Sequence, residues 1–387
     1  MRVMLVVEPG IDGVFRHVES IVHGLLQVEI PVALAYSSQR GSDRLEKLVK
    51  LVSRSSSGDS VDLKTGNSPT SRDILAAARL ARFAMCWKPH LIHAHSSKAG
   101  ALVRGLGKLG ILNGYLFYTP NAYYGMNTPS GLRRTVFNGV ERALLGAGIS
   151  INVSRDELQF ASSGLGQRRS QRVLIHNSVD FEKFIPVVRL EKRRLREQWG
   201  IPVGSVVIGS VGRLSWQKDP VSLVKAFARA REQDPRLFLL ILGQGELSDA
   251  VESAVDKFEV RDAYMRLEYA SEPQPIYQMM DIFGLASRYE GLAFSVLEAL
   301  ACDLPVVLTD VPGNRAFQGL DIPGMVIARA DCVDAMATCI LIAVNSLNGR
   351  NECGVRDRAR KFFGSRDAFA RLHQLYTSRF SRSYPVI

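Results

Sequence analysis

Two glutamates, Glu290 and Glu298, lie on either side of the segment Gly-Leu-Ala-Phe-Ser-Val-Leu. An apolar, strand-like run precedes them and a helix-like run follows, so we expect Glu290 in a loop and Glu298 about one turn into a helix. A carboxylate accepts hydrogen bonds from two neighbouring hydroxyls, and the first N–H groups of a helix can receive a phosphate. The segment therefore predicts a site for a phosphorylated polyhydroxyl compound, with the intervening residues Gly291, Leu292, Ala293 and Phe294 close to the ligand. The competing interpretation is a solvated Glu298 and a Glu290 that only caps the helix.

A second candidate loop, Gly212–Pro220, follows the apolar run Val206–Val211 and carries Arg213 and Lys218. Arginine grips two oxygens of a phosphate, and lysine supplies a compact positive charge. This pattern favours binding of a diphosphate over two cations that merely face solvent.

Two glycine loops follow other predicted strands. Gly243 and Gly245 open a loop that lacks the full spacing of a dinucleotide motif, so alone it indicates little. Gly13 stands before a predicted helix, where a chain without a Cβ can approach an anion at the helix N-terminus. A simple turn explains the Gly13 loop equally well.

Short apolar runs alternate with helical periodicity through the whole chain, which predicts an α/β protein with two parallel sheets, each in a Rossmann-like domain. We place the first domain at residues 1–182 and the second at 183–365, with a linker at 184–200 and a final helix at 366–387 that packs back on the first domain. Residues 53–73 are polar and predict an exposed loop. Ligands bind such sheets at the carboxyl ends of the strands.

The net charge of +11 is concentrated in residues 1–180, which hold 22 basic and 13 acidic residues. No interleaved basic and aromatic pattern indicates nucleic acid. An anionic membrane is the alternative partner, and two basic stretches, 98–108 and 131–145, are candidates for contact with it. Ordinary packed helices with a solvated basic face explain them as well.

No run reaches the roughly 18 to 20 apolar residues of a membrane span, and no signal peptide is recognisable, so we expect a cytoplasmic protein. Five cysteines without paired spacing predict reduced thiols, neither disulfides nor a zinc site.

The chain resembles the GT-B retaining glycosyltransferases of family 4 over nearly its whole length. Its motifs are EGLAFSVLEALACDLPVV from Glu290, GSVGRLSWQKDP from Gly209, LLILGQGE from Leu239, VLIHNSVDFEKF from Val173 and HLIHAHSSKAG from His90.

The resemblance implies that Arg213 and Lys218 bind the donor diphosphate, that Glu290 faces the transferred sugar and that Glu298 binds the ribose. It also implies that Gly13 closes on the phosphate, that no metal or other cofactor is needed, and that the anomeric configuration is retained. The donor site would comprise Gly13, Gly212, Arg213, Lys218, Gly243, Gly245, Glu290, Gly291, Leu292, Ala293, Phe294 and Glu298.

The sequence departs from the family at Asn121, where a histidine is expected. Asparagine binds a hydroxyl but takes up no proton at neutral pH. His17, His93, His95 and His176 are conceivable substitutes, although we interpret each as a structural histidine with its hydrogen bonds satisfied.

The sequence predicts a metal-independent hexosyltransferase that uses a UDP- or GDP-sugar and a lipid-linked or oligosaccharide acceptor in surface polysaccharide assembly. It would be cytoplasmic, with peripheral contact to the membrane. The alternatives are a nucleotide-sugar epimerase, which needs no acceptor, and a nucleotide-sugar-binding protein without turnover. Donor sugar, acceptor and linkage do not follow from the sequence.

Overall fold

A computed structural model describes residues 1–8, 12–66, 69–127, 131–347 and 354–383. The chain divides into two compact units. The first comprises Met1–Asn177 and Arg366–Ile387, and the second comprises Ser178–Ser365. The boundary thus falls shortly before the predicted one at 182/183.

The first unit is built on a parallel sheet of seven strands in the order β3-β2-β1-β4-β5-β6-β7. These strands are β1 (Val3–Val7), β2 (Val32–Tyr36), β3 (Asp59–Asp62), β4 (Leu91–His95), β5 (Tyr115–Thr119), β6 (Ile149–Asn152) and β7 (Arg172–Leu174). Its helices are α1 (Asp12–Gln27), α2 (Asp43–Arg54), α3 (Arg72–Trp87), α4 (Ser97–Lys108), α5 (Tyr124–Asn127), α6 (Leu132–Ala143) and α7 (Arg155–Gln159).

Apolar side chains cover both faces of this sheet, as the unbroken apolar runs of β1 and β2 predict. One core holds Met4, Val6 and residues of α3 and α4. The other holds Val3, Leu5, residues of α1 and α2, and Leu372 and Tyr376 from the far end of the chain.

The second unit has a parallel sheet of six strands in the order β10-β9-β8-β11-β12-β13. These are β8 (Val206–Val211), β9 (Leu237–Leu242), β10 (Tyr264–Leu267), β11 (Ile282–Leu285), β12 (Val306–Thr309) and β13 (Met325–Ala328). Its helices are α8 (Arg189–Gln198), α9 (Pro220–Gln233), α10 (Ser248–Lys257), α11 (Gln274–Gln278), α12 (Phe294–Ala301), α13 (Val333–Leu347) and α14 (Val355–Phe363).

The last helix, α15 (Ser365–Ser383), packs on the first unit. Phe369, Leu372 and Tyr376 belong to or pack against the core beside α1. Gly24 in α1 makes room for this contact, since a Cβ there would lie 2.4 Å from the Phe369 ring. The Tyr376 hydroxyl also lies 2.6 Å from Nδ1 of His93 at the centre of the sheet.

The predicted exposed loop at 53–73 is wrong in its middle, where β3 pairs with β2 as an edge strand. Leu63 and Thr65 just after it are buried. Here backbone pairing and polar contacts, such as the Ser37 hydroxyl bonded to the Thr65 carbonyl at 2.6 Å, replace the apolar burial that marks a central strand.

The segment predicted as a linker, 184–200, belongs to the second unit, and the helix α8 occupies most of it. Lys192 and Arg196 pair with the Asp281 carboxylate at 3.2 and 2.7 Å. The Arg196 guanidinium also donates to the Met279 carbonyl. The basic side chains of α8 therefore fix this helix to the second unit.

The basic stretch 98–108 does not present a row of surface cations. Arg104 is buried and pairs with Glu141 at 2.9 Å, and its guanidinium lies over the Tyr118 ring. Lys98 pairs with Asp73 at 2.8 Å. Lys98 and Arg104 thus serve internal contacts, and of the three cations in this stretch only Lys108 is exposed.

Among the described residues no helix is both long and apolar enough to cross a bilayer. The described cysteines are free thiols, with Cys302 and Cys339 buried and Cys86 exposed. Cys353 lies outside the described residues.

Candidate functional site

The candidate site of the second unit lies at the topological switch point of its sheet. From the central strands β8 and β11 the chain connections lead outward in opposite directions. Strand β8 pairs with β9 on one side and with β11 on the other. The loops after β8 and β11 therefore start side by side at the carboxyl edge, where open α/β sheets bind ligands. These are the loops that carry the predicted cations and Glu290.

Lys218 and Glu290 join the two loops. The Lys218 ammonium lies 2.7 Å from Oε1 of Glu290, and the Ser287 hydroxyl donates to the same oxygen at 2.6 Å. Glu290 is buried, with 4% of its surface exposed. Two donors on Oε1 hold the carboxylate in one orientation.

The second oxygen of Glu290 is less occupied. The Gln217 amide reaches Oε2 at 3.5 Å, which is a weak contact, and bonds to the Tyr289 carbonyl at 3.2 Å. A carboxylate oxygen has two acceptor positions. Oε2 therefore has the capacity to accept hydrogen bonds from the hydroxyls of a sugar.

The backbone at Gly313 packs directly against the backbone of Glu290. Its φ of +88° lies in the left-handed region, and a Cβ would lie 2.4 Å from the Glu290 carbonyl oxygen. The Glu290 N–H also donates to the Pro312 carbonyl at 2.9 Å. Only glycine allows this close approach of the two loops.

Gly212, Arg213 and Lys218 line one small pocket at the end of β8, together with Ser210, Leu214 and Leu285. Arg213 is exposed, whereas Lys218 is half-buried. The structure thus brings both predicted cations and Gly212 to one place, next to Glu290. That these two cations bind a diphosphate stays a prediction.

A second ion pair stiffens the loop that carries Lys218. Asp219 has a φ of +45° and caps α9 through the N–H of Ser222. Arg288 pairs with Asp219 at 2.6 Å and lies over the Trp216 ring. This contact links the loops after β8 and β11 a second time.

Gly243 and Gly245 let the loop after β9 touch the loop after β8. A Cβ on Gly243 would lie 1.9 Å from the Gly212 carbonyl oxygen, and one on Gly245 would lie 2.3 Å from that of Leu214. The Leu214 N–H donates to the Gln244 carbonyl at 3.0 Å. In this structure the two glycines shape the neighbouring loop, and their predicted contact with a donor stays a prediction.

Glu298 lies in the second turn of α12 and is buried, with 2% of its surface exposed. The Tyr277 hydroxyl donates to its Oε2 at 2.6 Å. The interpretation of Glu298 as a solvated helix residue is therefore wrong. Gly291, Leu292 and Ala293 are buried between Glu290 and the helix, and Phe294 begins it. The predicted contact of these four residues with a ligand stays a prediction.

Gly13 and Asn121 belong to the first unit. Gly13 lies in the first turn of α1, and its neighbour Gly10 lies outside the described residues. Asn121 follows β5 and has a φ of +52°, a left-handed conformation that asparagine tolerates. Its amide lies beside His17.

A buried carboxyl group, Glu157, holds the loop of Asn121 in place. One oxygen accepts the N–H of Ala122 and the other that of Val153, the latter at 2.9 Å. Burial raises the pKa of Glu157 to about 7, although these two hydrogen bonds oppose the shift. Glu157 carries no sequence signal beyond a helix-start pattern after Ser154.

The histidines differ from one another. His93 contacts Tyr376 and Thr119 through its two ring nitrogens, at 2.6 and 2.8 Å, and His176 contacts the Val153 carbonyl at 2.8 Å. Both fit the interpretation as structural residues. That interpretation is wrong for His95, because within the described residues neither of its ring nitrogens has a hydrogen-bond partner.

Several contributors escape prediction from sequence. Ser287, Tyr277 and Gly313 have no distinctive spacing relative to the glutamates they support. Gln217 stands beside Lys218 in the cationic loop, and that adjacency is the only signal that singles it out.

Residues 191–359 match the family model described as Glycosyl transferases group 1. Over 58% of this chain the sequence is 24% identical to the "Putative glycosyltransferase EpsD" of Bacillus subtilis (strain 168), covering 60% of that protein. It is 26% identical, over 63% of this chain and 64% of the relative, to the "UDP-Gal:alpha-D-GlcNAc-diphosphoundecaprenol alpha-1,3-galactosyltransferase" of Escherichia coli. The chain thus spans less than two thirds of each of these curated relatives.

The structure is similar to that of Anabaena HepE, solved in complex with UDP and glucose. The TM-score is 0.81 at 16% identity, and the match covers 98% of this chain and 100% of the other. This likeness confirms the predicted fold, two Rossmann-like domains of the GT-B type.

Proposed function

We propose that this chain, whose residues 191–359 match the family model of the group 1 glycosyl transferases, transfers a hexose from a UDP- or GDP-sugar to a hydroxyl group. The acceptor is a lipid-linked or oligosaccharide sugar in the assembly of a surface polysaccharide. The observation that carries the proposal is the pairing of Lys218 with Glu290 beside Arg213, at the carboxyl edge of the second sheet.

The chemistry of the donor explains why these groups lie together. When the bond between the sugar and the nucleotide breaks, the nucleoside diphosphate departs as the leaving group. Negative charge therefore grows on its phosphate oxygens. Arg213 and Lys218 stabilise that charge, and preorganised donors of this kind are usually the largest contribution to catalysis. They make a metal unnecessary for this role.

Glu290 and Glu298 divide the remaining contacts. Glu290, with Oε2 lightly occupied, accepts hydrogen bonds from the transferred sugar. Glu298, fixed by Tyr277, binds the hydroxyls of the ribose. The glycan keeps its anomeric configuration, and the leaving phosphate assists the incoming hydroxyl.

The relatives support the choice of substrates. The UDP and glucose bound by HepE favour a UDP-sugar over a GDP-sugar. The diphosphoundecaprenol acceptor of the Escherichia coli galactosyltransferase favours a sugar on a lipid diphosphate. A lipid acceptor also requires that the protein reach a membrane surface.

Helix α6 offers such a surface. Leu132, Val136 and Val140 follow one another at intervals of four residues, so they share a face, and they are 80, 53 and 44% exposed. Arg133 beside them is also exposed. We propose that this face, the α6 patch, contacts the anionic inner surface of the cytoplasmic membrane.

The test of the function is transfer by the purified chain from a panel of radiolabelled UDP- and GDP-sugars to acceptors in a membrane extract. We expect labelled glycolipid with at least one donor, and a loss of labelling in Glu290→Gln. Calorimetric titration with UDP and GDP measures binding separately. The absence of both transfer and nucleotide binding would contradict the proposal. If the wild-type chain binds nucleotide but transfers no sugar, and Asn121→His restores transfer, the chain is instead a nucleotide-sugar-binding protein without turnover.

A further inference from the structure

Glu157 departs from the helix-start pattern to which its sequence belongs. In a capping box, the serine before the helix accepts the N–H of the residue three positions on, and the acidic side chain there returns to the N–H of the serine. The Ser154 hydroxyl does accept the Glu157 N–H, at 3.2 Å. The Glu157 carboxylate instead accepts the N–H of Val153 at 2.9 Å and that of Ala122, a residue of another loop. Its side chain therefore joins two loops.

The loop that Glu157 reaches has an unfavourable backbone. We call residues 120–123, which follow β5, the Asn121 loop. Asn121 and Ala122 have φ values of +52 and +85°, both in the left-handed region. Asparagine adopts this region readily, but a Cβ makes it unfavourable for alanine. Such a conformation persists only where the surrounding structure imposes it. The bond from the Ala122 N–H to the Glu157 carboxylate is one such constraint.

The element that carries Glu157 contacts the Asn121 loop a second time. Helix α7 continues into a π-helical turn, Phe160–Gly164, a rare geometry that is frequent at functional sites. The Phe160 ring lies 5.4 Å from the ring of Tyr123, which is 1% exposed. One short element thus fixes the backbone of the loop through Glu157 and its buried ring through Phe160.

The Asn121 loop lies at the carboxyl edge of the first sheet. Strand β5 pairs with β4, and β4 pairs with β1. From β1 and β4 the chain connections lead outward in opposite directions, and open α/β sheets bind ligands at such a point. Because Asn121 and Ala122 are neighbours in the chain, a shift of the Ala122 N–H also moves the Asn121 side chain at this edge.

Both hydrogen bonds of the Glu157 carboxylate require its ionised form. An ionised carboxylate only accepts, whereas a protonated one carries an O–H donor, so one of the two N–H groups would lose its acceptor. Burial raises the pKa of Glu157 to about 7, although the two hydrogen bonds oppose the shift. The charge of Asp156 also raises this pKa, and the neighbouring Tyr123 and His176 are neutral at pH 7.

We propose that Glu157 is a positioning residue of the transfer reaction, whose carboxylate fixes Asn121 in place by holding the N–H groups of Ala122 and Val153. Glu157 touches no substrate in this proposal and acts only through the Asn121 loop. That the loop takes part in transfer rests on the proposed function. That the carboxylate holds the loop does not, so two separate measurements test the two statements.

The hold on the loop is measured without substrate, by nuclear magnetic resonance of the full-length chain labelled with ¹⁵N-alanine. The Ala122 amide signal is identified by its loss in Ala122→Gly, since glycine adopts the same left-handed backbone freely. We expect this signal to move in wild type as the pH falls through about 7, because the Ala122 N–H then loses its acceptor. The movement should be absent in Glu157→Gln.

Glu141→Gln is the matched control. Glu141 is a second buried glutamate of the first unit, and it contacts the side chains of Arg104 and Tyr118 at 2.9 and 3.1 Å rather than the backbone of the Asn121 loop. The Ala122 signal of this variant should move with pH as it does in wild type.

The effect on the reaction is measured by transfer assays across the same pH interval. We expect Glu157→Gln to lower kcat by about ten- to hundredfold, since a small misplacement of a positioned group costs this much. Wild-type kcat should fall as the pH drops through about 7, and this fall should be absent in Glu157→Gln but present in Glu141→Gln. A partial loss of folded protein would instead lower kcat without removing its pH dependence.

Nucleotide binding serves as the internal reference. The calorimetric Kd for UDP and the KM for the donor should be the same in Glu157→Gln and wild type, because the predicted nucleotide contacts Arg213, Lys218 and Glu298 lie on the second unit. Glu157→Gln should therefore change kcat alone.

Two results would overturn the proposal. In one, the Ala122 signal of wild type does not move around pH 7. In the other, that signal moves, but the kcat of Glu157→Gln and its pH dependence equal those of wild type. If Glu157→Gln does not fold, the two wild-type curves decide, and different midpoints for the Ala122 signal and for kcat would overturn the proposal.

The same measurements distinguish this proposal from the proposed function. If no donor is transferred while the Ala122 signal titrates, the proposed function fails, and with it the role of Glu157 in transfer, whereas the hold on the loop stands. If transfer proceeds and kcat does not respond to Glu157→Gln, the positioning role fails alone.

Discussion

Lys218 Nζ lies 2.7 Å from Oε1 of Glu290, although the two residues are separated by 72 positions in the sequence. Their side chains are 18 and 5% exposed, so the pair is largely removed from water. Each group is the other's nearest compensating charge. A ligand that occupies the site will therefore act on both at once.

Replacing Lys218 by methionine should impair activity and stability together. It removes a cation from the proposed diphosphate site, which we expect to lower kcat/KM by about 10²- to 10³-fold. It also leaves the Glu290 carboxylate without its countercharge, at a cost of about 2 kcal/mol in the free energy of unfolding, since the pair is not fully buried. Transfer assays and urea unfolding measure the two effects.

The double variant Lys218→Met, Glu290→Gln separates these effects. It should recover most of the lost stability, because no charge remains unpaired, but none of the activity. Stability losses that simply add up in the double variant would show that the ion pair contributes nothing to folding.

Tyr277→Phe should weaken nucleotide binding without removing a group that touches the nucleotide. The hydroxyl fixes Glu298 through a 2.6 Å hydrogen bond, and losing one such bond to a charged group is worth about 1.5–3 kcal/mol at most. We expect the Kd for UDP to rise roughly tenfold, measured by calorimetry. Tyr264→Phe, which removes a hydroxyl bonded to Glu252 in the same unit, is the control and should leave the Kd unchanged. Equal effects of both variants would exclude a specific role for Tyr277.

The buried histidines should make the protein sensitive to acid. Burial lowers the pKa of His93 and His95 well below 6.5 and that of His17 to about 4. The unfolded chain therefore binds more protons than the folded one below pH 6.5. The free energy of unfolding falls as the pH drops from about 6.5 towards 4, by up to about 1.4 kcal/mol per pH unit for each such group.

Glu157 acts in the opposite direction. Because its pKa is raised from 4.5 to about 7, the folded chain holds this proton longer, and the free energy of unfolding falls as the pH rises from 4.5 to 7. Glu157→Gln should therefore steepen the net loss between pH 6.5 and 4.5, and His95→Phe should flatten it. Urea titrations at several pH values in this interval test both, and identical slopes in all three proteins would refute the assignment.

The α6 patch should bind anionic vesicles. We expect wild type to float with vesicles rich in phosphatidylglycerol at low salt and less so at high salt, because charge and apolar contact act together. Val136→Ser with Val140→Ser should reduce flotation several-fold. Ile342→Ser removes an apolar side chain that is 51% exposed on the second unit, and it should have no effect. Equal flotation with anionic and with neutral vesicles would count against the proposal.

The sequence predicts central elements far better than edges. Strand β8 has the bounds of the predicted run Val206–Val211, because a strand buried on both faces must be apolar throughout. The edge strands β3, β10 and β13 escape prediction. Their residues are mostly half-exposed, and backbone pairing with one neighbour, invisible in the composition, decides their structure.

For the candidate site, too, the sequence predicts some features and misses others. Local patterns identify Glu290, Arg213 and Lys218 as candidates and assign them to strand ends. That Lys218 bonds Glu290 depends on β8 lying beside β11, which the order of elements along the chain does not reveal. His95 shows the converse, since its sequence neighbourhood resembles that of His93, and only the packed structure distinguishes the paired ring from the unpaired one.

The return of α15 to the first sheet has a consequence for the order of events on the ribosome. Val179 and Gly364 pair as neighbouring extended residues, so the second unit begins and ends at one place and is an insertion in the first. Every residue of the second unit is synthesised before Leu372 and Tyr376 of the first unit. The first unit to be translated is thus the last to complete its core, and a nascent chain stalled after Ser365 should expose the face that α15 covers.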